Sequence, residues 1–130
     1  MGLARGLAHD FNNVVFGNLF INAAQAMPAG GAIRVQANNL NEPEASDRSL
    51  PARRNVLVTV ADQGTGIAPE HLSQVFDPYF TTKPQGSGLG LATVRAIVKN
   101  HFGNIAVEST LGGGATFRVF LPASDQKIIE

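Results

Sequence analysis

Residues 86–122 read GSGLGLATVRAIVKNHFGNIAVESTLGGGATFRVFLP and place a helix and two strands in close succession. Apolar residues recur at helical spacing over 89–102, which predicts an amphipathic helix ended by Gly103. Residues 104–109 and 115–121 predict two strands joined by a turn of three glycines. A glycine-rich loop therefore opens a helix that leads directly into a β-hairpin.

Upstream of this stretch the sequence predicts one long helix, two strands and a short helix. In chain order they span residues 3–27, 32–37, 56–61 and 69–75. The β-branched run VLVTVA at 56–61 favours a central strand, whereas residues 38–55 and 82–87 predict polar connections. Because helices and strands mix without strict βαβ alternation, the predicted fold class is α+β, a two-layer α/β sandwich with a mixed sheet packed on helices.

Composition limits the classes of protein that the chain can represent. It has 130 residues, 44% of them hydrophobic, with ten basic and ten acidic side chains, which fits one compact domain and gives no reason to expect nucleic acid binding. There is no cysteine, which excludes disulfides and thiolate zinc sites. No apolar run reaches the roughly 18 residues of a membrane span. We expect a cytoplasmic domain without direct membrane contact. The composition leaves open whether the parent protein is anchored in a membrane.

Two asparagines on the long helix are candidate metal and phosphate ligands. Asn18 and Asn22 are four residues apart and therefore share one helix face. Amide oxygens can ligate Mg²⁺ without repelling a polyphosphate. Taken alone, the pair is equally compatible with ordinary helix hydrogen bonds.

The segment DQGTG at 62–66 directly follows the predicted central strand. An ionised Asp62 can only accept hydrogen bonds, so it can bind the exocyclic amine of adenine and repel the carbonyl of guanine. Gly64 and Gly66 would let the backbone come close to a ligand. Taken alone, such a strand-to-turn motif is more often structural.

The glycine-rich loop and the aromatic segment before it complete the set. Backbone N–H groups at the start of a helix, here after Gly86-Ser87-Gly88-Leu89-Gly90, can bind phosphates, although the spacing is neither that of a Rossmann fold nor that of a P-loop. The preceding FDPYFTTK at 76–83 suggests a hinged lid from which Lys83 could reach a phosphate. A flexible linker beside a solvated lysine is the alternative.

In this order, the segments resemble the catalytic ATP-binding domain of sensor histidine kinases, which belong to the GHKL ATPase superfamily. NLFINAAQAM resembles the N box, DQGTG the G1 box, FDPYFTTK the F box, GSGLGLATVRAIVKNHFG the G2 box, and GGGATFRVFLP the closing G3 segment. The resemblance covers residues 18–122 and implies that ATP and Mg²⁺ are the cofactors.

The resemblance also implies a role for each matching residue. Asn22 would ligate Mg²⁺ with support from Asn18, and Asp62 would bind adenine. The remaining nucleotide-binding positions would be Gly64, Gly66, Lys83, Gly86, Gly88, Leu89 and Gly90. Gln25 departs from the family, which often has a basic residue there, and this predicts weaker γ-phosphate binding.

The segment HDFNN at 9–13 resembles the phosphoacceptor H box of the same family. Neutral His9 is a competent nucleophile towards a phosphoryl group, and Asp10 can take or orient its ring proton. Asn13, one turn further on, could position a water for phosphoryl removal. These three residues are the candidate catalytic residues, whereas His71 and His101 are interpreted as surface and helix-end residues.

The spacing of the two boxes divides the chain and limits its chemistry. Residues 1–17 would form the H-box helical segment, 18–122 the catalytic domain and 123–130 a tail. Only residues 14–17 separate the boxes, so the family's dimerisation hairpin is largely absent. On one helix, His9 and Asn22 would be about 20 Å apart along the axis and about 220° apart around it. Phosphoryl transfer from bound ATP to His9 would therefore have to occur between two chains or after the helix breaks at Gly17.

The resemblance implies Mg·ATP-dependent phosphorylation of histidine, followed by transfer to an aspartate of a response regulator receiver domain. The alternative is an ATP-binding switch module without autonomous kinase activity. A nucleotide-free interaction domain is disfavoured by the intact Asp62 and glycine segments. The parent protein would be a homodimer, and this chain, lacking the hairpin, a monomer or weak dimer.

Overall fold

A computed structural model of the chain describes residues 2–40, 55–82 and 86–122. Within these ranges the chain forms two α-helices, four strands and one 3₁₀ turn. In chain order these are α1 (Gly2–Gln25), β1 (Ile33–Leu40), β2 (Asn55–Asp62), the 3₁₀ turn Pro69–His71, α2 (Gly90–Asn100), β3 (Asn104–Ser109) and β4 (Ala115–Pro122). Most of the predicted 38–55 connection, Lys83 and the predicted tail lie outside the described residues.

The described strands form one sheet in the order β1-β2-β4-β3. The predicted two-layer α+β sandwich is confirmed, and VLVTVA does form a central strand. The sheet differs from the expected mixed one, because every described pairing is antiparallel. The reason is that β4 lies between β2 and β3, so the two strands that run in the same direction across the α2 crossover never pair.

Both helices pack against each other and against the sheet in one hydrophobic core. Helix α1 contributes Phe11, Val15 and Leu19, spaced four residues apart on one face, and α2 contributes Val94 and Val98. Each such fully buried side chain stabilises the fold by about 1.5–3 kcal/mol. No helix within the described ranges combines the length and apolar character that crossing a bilayer requires.

The short helix expected over residues 69–75 is largely replaced by turns. Only Pro69–His71 is helical, as a 3₁₀ turn. The chain then continues with successive four-residue turns, in which Gln74 N–H donates to His71 O and Asp77 N–H to Gln74 O, both at 2.9 Å. Val75 lies within these turns and is buried, with 7% of its surface exposed.

Helix α2 ends in a Schellman motif, but the left-handed residue is Phe102 and not the expected Gly103. Phe102 has φ 65, and Gly103 N–H donates to Val98 O at 2.9 Å. Gly103 is needed for a different reason, since a Cβ there would meet the carbonyl oxygen of Phe120.

Candidate functional site

A cleft of about 410 Å³ opens between the end of α1, the end of β2 and the start of α2. Six of the predicted site residues line it together, although they come from three separate segments of the chain. They are Asn18, Asn22, Asp62, Gly86, Gly88 and Gly90. The long-range arrangement of the sandwich therefore brings together what the sequence spreads over seventy residues.

The carboxylate of Asp62 is held by two backbone N–H groups from different segments. Asp62 ends β2 and is 8% exposed. Its Oδ1 accepts hydrogen bonds from Gly64 N at 2.8 Å and from Ala115 N, the first residue of β4, at 3.2 Å. Both of these hydrogen bonds involve Oδ1, so the orientation of the carboxylate is set. Oδ2 can then accept a hydrogen bond from a ligand.

Gly64 and Gly66 permit close backbone approach, but the approaching groups belong to the protein. A Cβ on Gly64 would meet the backbone of Ala26 just beyond α1, and a Cβ on Gly66 would meet the carbonyl of Thr110. Neither glycine lines the cleft. Their predicted position beside Asp62 is observed, and the position that a Cβ would take at each glycine is filled by neighbouring backbone. Their role in nucleotide binding stays a prediction.

The side-chain amide of Asn18 has a defined orientation. Its Nδ2 donates to the carbonyl of Val14 at 2.8 Å, and since a carbonyl can only accept, the amide oxygen must face the other way. A Cβ on Gly90 would lie 3.1 Å from this Oδ1, so the oxygen lies against the start of α2. Asn22, one turn further along α1, is half-buried and lines the same cleft.

The glycine loop is joined at its base to the aromatic segment before it. Tyr79 N–H donates to Gly88 O at 2.7 Å, and Gly88 has φ +77 with no room for a Cβ beside the Tyr79 backbone. Leu89 N–H donates to Ser87 Oγ at 3.2 Å. The Leu89 side chain is 40% exposed and does not line the cleft, so any role in ligand binding falls to its backbone.

The donor groups of the cleft fit a magnesium nucleotide. An anchored carboxylate lies at the end of β2, and the start of α2 presents backbone N–H groups and a positive dipole end suited to phosphate. Amide oxygens of Asn18 and Asn22 suit a hard cation that keeps phosphate and water ligands. The volume falls within the usual range of about 300–1,000 Å³ for ligand pockets.

The candidate catalytic residues lie on α1 away from this cleft. His9 and Asp10 belong to α1, but their side chains fall outside the described ones, and Asn13 is exposed and does not line the cleft. The helix runs unbroken through Gly17. The rise of about 20 Å between His9 and Asn22 therefore applies to the folded chain.

Sequence reasoning missed His71 as a cleft residue. It is half-buried, lines the cleft and contacts Phe80, with ring centroids 5.2 Å apart and the ring planes tilted by 59°. Its position between the DQGTG and FDPYFTTK segments was the available signal. His101 is exposed, and its Nδ1 lies 2.9 Å from Ile97 O at the end of α2, so its interpretation as a helix-end residue is confirmed.

Known proteins are similar to this chain in sequence and in fold. A family described as histidine kinase-, DNA gyrase B-, and HSP90-like ATPase matches residues 10–125. Sensor histidine kinase ZraS of Salmonella typhimurium is 45% identical over 105 residues, which cover 81% of this chain and 20% of that protein. Sensor kinase CckA of Brucella abortus is 43% identical over 110 residues, covering 81% of this chain and 12% of that protein.

Solved structures agree with these relatives. The mycobacterial sensor histidine kinase MprB superposes with a TM-score of 0.64 at 31% identity, over 81% of this chain and 65% of the other. The catalytic domain of histidine kinase ThkA, in a nucleotide-free form, gives 0.65 at 32% identity, over 83% and 63%. The chain spans about a fifth or less of the length of the curated relatives above. On sequence and fold together, the chain belongs to the histidine kinase-, DNA gyrase B- and HSP90-like ATPase family.

Proposed function

We propose that this chain is the ATP-binding catalytic domain of a two-component sensor histidine kinase. The observation that carries the proposal is the anchored Asp62 carboxylate in a cleft shared with Asn18, Asn22 and the glycine loop. The reaction would be Mg·ATP-dependent phosphorylation of histidine, then transfer to an aspartate of a response regulator receiver domain. The curated relatives, named as sensor kinases, support this class of reaction.

Each group in the cleft has a task in this proposal. Asp62 accepts the adenine amine, the backbone N–H groups of Gly86–Gly90 bind the phosphates, and Asn22 ligates Mg²⁺ with Asn18 beside it. Bound Mg·ATP supplies the transferable phosphoryl group and the metal's positive charge. Gln25 lines the cleft and can donate a hydrogen bond to phosphate, but it brings no charge. We therefore expect weaker triphosphate binding than a lysine or arginine would give.

The acceptor histidine must belong to a different chain from the one that holds the nucleotide. In-line transfer needs the nucleophile about 3–3.5 Å from the phosphorus. His9 and Asn22 lie about 20 Å apart along an unbroken helix. We propose residues 1–17 as the acceptor helix, with Asp10 and Asn13 assisting His9, and residues 18–122 as the nucleotide domain. Phosphorylation of His9 then proceeds between chains.

We expect Asn22→Ala to remove the magnesium dependence of nucleotide binding. The amide oxygen is the proposed protein ligand of the ion, so its loss should weaken Mg·ATP binding about tenfold or more while ATP without the metal binds as before. Calorimetry with and without Mg²⁺ measures both affinities. Asn100→Ala, an exposed asparagine at the end of α2, is the matched control. Equal magnesium dependence in both variants would remove Asn22 as a ligand.

Incubation with γ-labelled ATP tests the transfer step. We expect an acid-labile, base-stable label whose initial rate rises faster than linearly with protein concentration, because the acceptor comes from a second chain. His9→Gln should abolish the label and leave ATP binding intact. A label at a residue other than His9, or none at high concentration, would contradict His9 as the acceptor.

The second candidate is an ATP-binding switch module without kinase activity of its own. The unbroken helix that separates His9 from Asn22 favours it. Binding of Mg·ATP without any label would select this module. Absence of ATP binding in the parent chain would reject both candidates.

A further inference from the structure

Ser109 lies at the end of β3, outside the residues that line the cleft, and its hydroxyl joins two separate loops. Ser109 Oγ accepts a hydrogen bond from Ile67 N at 2.7 Å. The same hydroxyl donates to Gly114 O, also at 2.7 Å. One side chain therefore connects the loop that follows Asp62 with the turn that precedes β4.

The second of these bonds acts directly on the group that holds Asp62. The carbonyl of Gly114 and the N–H of Ala115 belong to the same planar peptide. That N–H donates to Asp62 Oδ1 at 3.2 Å. By holding the carbonyl end of the peptide, Ser109 sets the direction of the N–H at the other end, and hydrogen bonds in such a chain strengthen one another.

Both peptides that Ser109 holds adjoin a glycine in the left-handed region. Gly114 has φ +81 and Gly66, which precedes Ile67, has φ +78. Glycine permits a wide range of backbone conformations, so neither peptide plane is set by local sterics alone. Ile67 itself lines the cleft. The hydroxyl thus positions two sides of the pocket around Asp62.

We propose that Ser109 is a positioning residue for recognition of the adenine amine, acting through Asp62. The proposal rests on the proposed function, since it deepens the base selection assigned to that site. Ser109 does not touch the nucleotide. It keeps the Ala115 N–H on Asp62 Oδ1, so that Oδ2 faces the ligand in a fixed direction.

The test compares ATP with purine riboside triphosphate, which lacks only the 6-amine, by calorimetry on the full chain. Ser109→Ala should weaken ATP binding about tenfold and change binding of the analogue less than about twofold, so that the ratio of the two affinities falls. Ser109→Thr retains the hydroxyl and should restore the ratio. Thr116→Val, which removes a hydroxyl from β4 outside the cleft, should leave it unchanged.

A double-mutant cycle separates positioning from stability. In an Asp62→Asn background, Ser109→Ala should weaken ATP binding no further, because the partner through which it acts is gone. If Ser109→Ala lowers the melting temperature but keeps the wild-type affinity ratio, the role is structural only and the proposal is overturned. Should the alanine variant fail to fold, Ser109→Cys, with a weaker donor, must show an intermediate ratio, and an unchanged ratio overturns the proposal equally.

The outcome for the parent chain separates this inference from the proposed function. If the parent chain binds no ATP, the proposed function fails and the inference fails with it. If the parent prefers ATP to the analogue and Ser109→Ala keeps that preference, only the inference fails.

Discussion

Replacing Asp62 with asparagine is expected to weaken ATP binding about 100-fold and to shift preference from ATP towards GTP. The reason lies in the two backbone donors on Oδ1, from Gly64 and Ala115. In the variant these N–H groups still require an acceptor, so the amide oxygen must remain there and Nδ2 must face the ligand. A donor then meets the adenine amine. Loss of a charged hydrogen bond costs about 1.5–3 kcal/mol of binding free energy. The unfavourable contact between two donors, Nδ2 and the adenine amine, adds to this cost.

The measurement is calorimetry of Mg·ATP and Mg·GTP with the parent and the variant. The carbonyl oxygen of guanine accepts a hydrogen bond, so GTP should gain affinity where ATP loses it. Glu70→Gln removes an exposed carboxylate from the nearby 3₁₀ turn and should change neither affinity by more than about twofold. Unchanged ATP affinity in Asp62→Asn would contradict the assigned role of this residue.

Gly66→Ala is expected to lower the free energy of unfolding by about 3 kcal/mol, and Gly112→Ala by about 1 kcal/mol. The two glycines have nearly the same φ angle, +78 and +79. An alanine at either position meets the left-handed penalty. Only at Gly66 would the added Cβ also meet the carbonyl of Thr110, whereas it finds open space at Gly112.

The β3–β4 turn cannot easily move away from the Gly66 Cβ. Gly112 N–H donates to Thr65 O at 2.8 Å, which ties this turn to the loop that carries Gly66. Urea unfolding followed by circular dichroism gives both changes in stability from matched variants. Equal destabilisation by the two alanines would show that the contact with Thr110 relaxes without cost.

Local pattern predicted most of the secondary structure and the chemistry of single residues. The helix predicted over residues 3–27 is observed, and Asn18 and Asn22 necessarily share one of its faces. This relation depends only on helix geometry, and it appears in the structure unchanged. Prediction failed where the local sequence was compatible with more than one secondary structure. At residues 69–75, turns replace most of the predicted helix.

Contacts between residues distant in sequence also escaped prediction. His71 lies between the DQGTG and FDPYFTTK segments, but this position does not by itself place it in the cleft, because that depends on how the turns after β2 fold back. Likewise, the DQGTG motif did not indicate that the backbone close to Gly64 and Gly66 would be that of Ala26 and Thr110. Motif chemistry identifies residues suited to a task, but it does not identify their neighbours.

The sequence by itself determined that Asp62 directly follows a central strand and that His9 and Asn22 lie thirteen residues apart on one helix. Helix rise alone then separates acceptor from nucleotide site. Only the tertiary structure decided what holds Asp62, since Ala115 lies 53 residues away and reaches Oδ1 because β4 pairs with β2. Such strand pairing is a long-range choice, which local propensity does not encode. The bridging role of Ser109 depends in addition on the pairing of β3 with β4, in which Ser109 lies opposite Ala115.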